Sequence, residues 1–226
     1  MGIGNNVYLS ITVVVNIIAS YAAYVAAPPE ATMGDLYRIF YIHTPSAWVC
    51  YLTLGISLLA SILFLAKRKI VYDTLAEVSA ILGLFYGVVA LVTGSIWANA
   101  AWGVYWNWDP RETTTIILWI AYMGYISLRL SIGNVEKRAL TSAVYNILAF
   151  STIPLSYLSI RLWQSLHPLP VTGRLERGLS ITPPMMETLL LNLIASSLVY
   201  IYLLRMAYDA RSLQTRVDAL TYEKGR

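Results

Sequence analysis

Charge is scarce in this sequence. Asp, Glu, Lys and Arg make up 12% of the 226 residues, against 58% hydrophobic residues and a mean hydropathy of +0.60. A soluble domain carries roughly 25% charged residues, so a water-soluble fold is excluded and the chain belongs in a membrane. Cysteine is almost absent: Cys50 stands alone, which excludes an intrachain disulfide, a Cys-based zinc site and an iron–sulfur cluster. Histidine occurs only twice, as His43 and His167. The alternating pattern of a β-barrel, a Walker motif, a nucleotide loop, an internal repeat and a low-complexity segment are all missing. With a span taking about 20 residues, no length remains for a separate soluble catalytic domain, so chemistry is confined to loops and span ends.

What is present is six apolar stretches, at about 7–27, 45–66, 75–97, 114–130, 140–160 and 185–205. They predict an all-α, polytopic membrane protein of six transmembrane helices, a single integral membrane domain over 1–226. The first stretch has neither a preceding Lys or Arg nor an A-x-A-like site, so it reads as a retained span rather than a cleaved signal. Eleven of the sixteen Lys and Arg residues fall after even-numbered spans. The positive-inside rule then places both termini in the cytoplasm and turns the first, third and fifth connections outward. Arg38, Arg111, Arg161, Arg174 and Arg177 remain on the outer side.

The outward connections hold what is unusual. Both histidines fall there, with Trp97, Trp102, Trp106, Trp108 and Trp163, while Trp48 and Trp119 follow a turn or two inside; no Trp lies inward. An ordinary aromatic belt marks both interfaces. The loop at 98–113 contains Trp102, Tyr105, Trp106 and Trp108, four rings that form either an amphipathic shelf or a platform for a planar ligand. Asp109, Glu112 and Thr113 read as caps of span four. Thr44 and Pro45 read as the N-cap and first residue of span two, with His43 just before them at the surface. Cys50 reads as packing, Pro154 as a kink, and Glu77 and Glu187 as helix N-terminal charges. Tyr41, Tyr105 and Tyr157 read as interfacial tyrosines. No side chain has the setting of a general acid or base.

The segment from Trp102 to Thr113 resembles the tryptophan-rich WWD signature of haem-handling proteins of cytochrome c maturation, W-G-x-aromatic-W-x-W-D-x-R/K-x-T. It matches at Trp102, Gly103, Tyr105, Trp106, Trp108, Asp109, Arg111 and Thr113. Within that superfamily (CcmC, CcmF, CcsA), six spans and one outward histidine on each side of the signature resemble the haem exporter protein C (CcmC) family. The run Arg38–Trp48 is similar to its first histidine segment and Trp163–His167 to its second. The wording Asp109-Pro110-Arg111-Glu112-Thr113 is closer to the CcsA-type synthetases.

The resemblance implies that His43 and His167 are the axial ligands of haem iron, with Trp102, Tyr105, Trp106, Trp108 and Asp109 around the ring. Arg111 and Arg38 are the propionate candidates, because a guanidinium suits bidentate carboxylate capture. It also implies haem b as a transient cargo and a haem-transfer platform rather than an enzyme. The implied partners are a CcmE-type haem chaperone, the CcmA/CcmB ABC transporter and the small subunit CcmD, at a prokaryotic cytoplasmic (inner) membrane with the site facing outward; no nucleic acid is implied. A shallow site on the outer surface, open to a docking partner, is expected. A CcsA-type haem lyase subunit remains an alternative, although this chain lacks further histidines within its spans. A b-type cytochrome would bury its ligands within the spans.

Overall fold

The computed structural model describes residues 3–167 and 181–224, with side chains described for 6–167, 181–214 and 217. Arg174, Arg177 and Arg226 lie outside the described residues. The described residues are helical apart from short connections, and they form no strand. The helices are α1 (Ile3–Tyr21), α2 (Phe40–Lys67), α3 (Ile70–Trp102), α4 (Pro110–Ser131), α5 (Val135–Ala149), α6 (Thr152–Leu162) and α7 (Pro183–Lys224). A π-turn, Ala22–Ala26, continues α1, and a 3-10 turn, Asp35–Ile39, leads into α2. Six segments are long and apolar enough to cross a membrane: Asn6–Ala26, Asp35–Lys67, Ile70–Trp102, Pro110–Ser131, Val135–Leu162 and Pro183–Gln214.

The spans agree in order and number with the sequence reading but run longer. Thr44 is not an N-cap: α2 has already begun at Phe40, and Pro45 lies inside it. Aromatic packing is the reason. Tyr37, Phe40 and Tyr41 bury against Trp97 and Met185, and that contact holds the extra turn in helical form where local capping signals suggested a loop. The signature loop is correspondingly shorter than 98–113, because α3 runs to Trp102 and α4 starts at Pro110.

The fifth span breaks between α5 and α6, where the sequence placed a kink. Pro154 has no N–H for the Phe150 carbonyl, which instead accepts from Ile153 N–H at 3.0 Å. The tightest pairing in the bundle is α2 against α3. Thr53, Ser57 and Ser61, one turn apart on α2, sit at that seam; Thr53 donates to the Ser79 carbonyl and Ser57 to the Ala76 carbonyl. Asn146 of α5 reaches both Ser57 and Ser61. Short polar side chains let the helices approach closely while Thr53, Ser57 and Ser61 each have a partner, which is how bundles pack in lipid. Tyr122, Tyr125 and Tyr200 fill the centre with Leu54 and Leu118.

The two ends of the bundle differ. One gathers both histidines with the starts of α2 and α4 and the ends of α3 and α6. The other gathers a buried ion-pair network. Arg129 makes a bidentate pair with Asp73 at 2.7 and 2.9 Å and also reaches Glu77 at 3.1 Å. Arg211 of α7 clasps Glu77 at 2.9 Å through two nitrogens. Glu77 is thus a cross-helix partner rather than only a helix-terminal charge.

Candidate functional site

At the histidine end a slot opens between α2, α3 and α4. Its walls are single helix faces: His43, Ala47, Cys50 and Tyr51 on α2; Gly87, Ala90, Gly94 and Ala98 on α3; Arg111, Thr115, Leu118 and Trp119 on α4. The spacing of three, four and seven residues puts each set on one stripe. Small residues on α3 open the slot and large apolar ones on α4 line it. The site is therefore not the shallow surface site expected: it follows α2 from His43 to Tyr51, roughly 12 Å along the helix axis at 1.5 Å per residue.

His43 is fixed twice over. Its Nδ1 donates to the Ala90 carbonyl at 3.0 Å and lies 3.2 Å from the Thr93 hydroxyl, which itself donates to Val89. A ring that gives its Nδ1 proton to a carbonyl keeps Nε2 as a free lone pair, the arrangement metal-binding imidazoles use. Gly94 permits this, since a Cβ there would stand 2.8 Å from His43 Cε1.

His167 follows α6 on an irregular segment and enters the slot from the other side. Its ring centre lies 6.4 Å from that of His43, with the planes 78° apart. Burial within the slot, then the Arg111 guanidinium and His43, hold its pKa well below the usual value, so the ring is neutral at physiological pH. An imidazole bonded to a metal at about 2 Å has its ring centre about 3 Å away, so two imidazoles on opposite sides of one metal hold their centres about 6 Å apart. Among the described residues no cluster of three or more His, Cys, Asp and Glu could hold a metal ion. A bare ion would be undercoordinated here, whereas iron already held by four porphyrin nitrogens needs only two axial ligands.

Of the four signature rings, two line the slot. Trp102 meets His167 edge-on at 6.4 Å, and Trp106 stands beside it. Trp108 and Tyr105 do not line it and are 73% and 60% exposed, Trp108 packing edge-on against Trp106 at 5.8 Å. Trp97 packs against both imidazoles, at 5.6 and 6.0 Å between ring centres. Trp108 has a φ of 62°, which costs strain in a non-glycine residue; Thr113 holds it by donating to its carbonyl at 3.1 Å. Gly103, with φ at 76°, ends α3. Arg111 lines the slot and gives Nη1 to the Ser156 and Tyr157 carbonyls at 2.8 and 3.2 Å, over the Tyr51 ring. Arg38 does not line the slot: it pairs with Asp35 and donates to the Ala23 carbonyl at 2.7 Å, tying the end of α1 to the start of α2. Asp109 caps α4 as expected, accepting from Arg111 N–H, and it too stands outside the slot.

A profile of the heme exporter protein C family matches residues 4–223. The chain belongs to that family. Among its relatives are the heme exporter protein C of Bradyrhizobium diazoefficiens, 30% identical over 194 residues, which cover 86% of this chain and 73% of that one. That of Rhodobacter capsulatus is 28% identical over 85% of this chain and 80% of its own. That of Escherichia coli K12 is 29% identical over 72% and 65%. Sequence reasoning about this family member found both histidines and Trp102, Trp106 and Arg111 at the slot. It missed Gly94, Trp119 as slot lining, and the Ala90 carbonyl. Gly94 left a signal as a glycine inside a span and Trp119 as one of the tryptophans gathered toward the outer side, whereas a backbone acceptor leaves none.

Proposed function

We propose that this protein holds haem b as transient cargo and delivers it to a CcmE-type chaperone in the heme-exporter system of cytochrome c maturation. The observation that carries this reading is the pair of neutral imidazoles facing one another across a largely apolar slot. His43 and His167 take the two axial positions of the iron, Trp97, Trp102 and Trp106 pack around the ring, and Arg111 pairs with a propionate. Arg111 reaches the level of Tyr51, Thr115 and Ser156, inward of the imidazoles along α2. A propionate edge held there turns the vinyl edge toward the mouth of the slot, where a partner's nucleophile can reach it; the contribution is positioning rather than acid–base chemistry. The exposed Trp108 and Tyr105 beside the mouth suit a docking partner better than the cargo.

The excess of Lys and Arg at the opposite end supports a cytoplasmic-membrane orientation with the slot facing outward, and family membership supports association with CcmA, CcmB and CcmD. A pyridine haemochrome assay and visible spectrum of the detergent-purified protein, alone and with the soluble domain of a CcmE-type chaperone, test the proposal. Haem retained chiefly in the complex and lost in His43→Ala or His167→Ala is the expected result. Full, stable haem in the isolated protein would instead indicate an electron carrier, and wild-type haem in both variants would remove the ligand assignment.

A further inference from the structure

We infer that Asp109 is a positioning residue: without touching the cargo, its carboxylate fixes the segment that carries His167 and so sets the gap between the two imidazoles. This rests on the haem reading above and deepens it. The two ligands are held by different means. His43 stands on a helix and is locked by the Ala90 carbonyl. His167 comes five residues after α6 ends at Leu162, on backbone without helical hydrogen bonds, so its conformation has to be held by contacts from elsewhere in the fold.

What holds that segment is Asp109. The residue is only 6% exposed. Its Oδ1 accepts from Arg111 N–H at 2.9 Å, the ordinary cap. Its two oxygens also receive the Ser165 hydroxyl at 2.8 and 2.9 Å, and Oδ2 receives Leu166 N–H at 2.7 Å. Ser165 Oγ in turn accepts His167 N–H at 3.0 Å. A continuous chain thus runs from the first turn of α4 through Asp109 and Ser165 to the backbone of His167. Bonds to a carboxylate are shorter and stronger than neutral ones, and a helix cap alone needs one acceptor contact, not four. Partners one shell away from a metal ligand commonly change affinity by about 10- to 100-fold when removed.

The test is titration of the full-length, detergent-purified protein with hemin, read by absorption. Two imidazoles give a six-coordinate, low-spin spectrum. Ser165→Ala and Asp109→Asn are expected to weaken hemin binding at least about tenfold and to shift the spectrum toward the five-coordinate, high-spin form of His167→Ala. Added free imidazole should restore the six-coordinate spectrum in all three, and Ser165→Thr, which keeps the hydroxyl, should behave as wild type. Should Asp109→Asn fail to fold, Ser165→Ala decides. Wild-type affinity and spectrum in Ser165→Ala, with His167→Ala altered, overturn the positioning role and leave the haem site standing. A six-coordinate spectrum unchanged in His167→Ala overturns the haem reading itself, and the positioning role with it.

Discussion

The histidine end and the ion-pair end are built on the same helices and have opposite characters. At the ion-pair end charges are paired across helices: Asp73, Glu77, Arg129 and Arg211 join α3, α4 and α7 through contacts of 2.7 to 3.1 Å. At the other end the slot is lined by two imidazoles with Arg111 and Glu112, and His43 keeps a ring nitrogen uncommitted beside open space. Buried ion pairs add little net stability, but removing one partner is severe. That end consequently behaves as a fixed joint between helices. The histidine end gives up packing to leave a slot. The bundle separates the end that joins its helices from the end that opens a slot.

The comparison breaks most sharply with Arg129→Gln, which strands the buried Asp73 and leaves Glu77 to Arg211 alone. A loss of about 3–5 kcal/mol is expected, seen in thermal denaturation, with haem per folded molecule unchanged. The double variant His43→Ala, His167→Ala should do the reverse, abolishing haem in a pyridine haemochrome assay while shifting the melting temperature of the haem-free protein little.

Smaller changes sharpen the picture. Gly94→Ala drives a Cβ to 2.8 Å from His43 Cε1, an overpacking of about 1–3 kcal/mol that should lower hemin affinity by roughly tenfold or more. Gly55→Ala, with nothing within 4 Å of its Cβ, should change nothing in the same titration. Arg111→Gln should weaken hemin by roughly tenfold, the scale of one charge-assisted hydrogen bond, yet leave binding of its dimethyl ester nearly unaltered. An equal loss for both would mean that Arg111 serves only the Ser156 and Tyr157 carbonyls.

The smallest effect is with pH. His167 titrates well below its usual value of 6.5 in the folded protein. Below that pH the unfolded chain therefore binds a proton that the folded chain refuses, and stability falls as pH drops from 7 toward 5. The slope is at most about 1.4 kcal/mol per pH unit, and melting curves of His167→Gln should lack that share of it.

Much of the fold is legible in the residues. Six apolar stretches of sufficient length, Pro154 in the fifth, and Asp109-Pro110 at the head of the fourth each act through local chemistry: bilayer thickness, a missing N–H, a cap. Thr44-Pro45 misled for the same reason, because a good local cap lost to the burial of Tyr37, Phe40 and Tyr41 against Trp97. The signature was legible as a haem motif, but not how its members divide. Trp102 and Trp106 line the slot, Tyr105 and Trp108 do not, Gly103 and Thr113 hold the backbone, and Asp109 grips the His167 segment.

The sequence by itself determined that the chain lives in a membrane, how many times it crosses, and which two residues can ligate iron, because hydropathy and donor chemistry are properties of residues taken singly or in short runs. Tertiary structure decided the depth of the slot, the 6.4 Å between the imidazoles and the pairing of Arg129 and Arg211 with carboxylates far away in the chain. Those depend on which helix faces meet. A stripe of small residues on α3 and the reach of a guanidinium across a bundle acquire meaning only when the opposing helix is in place.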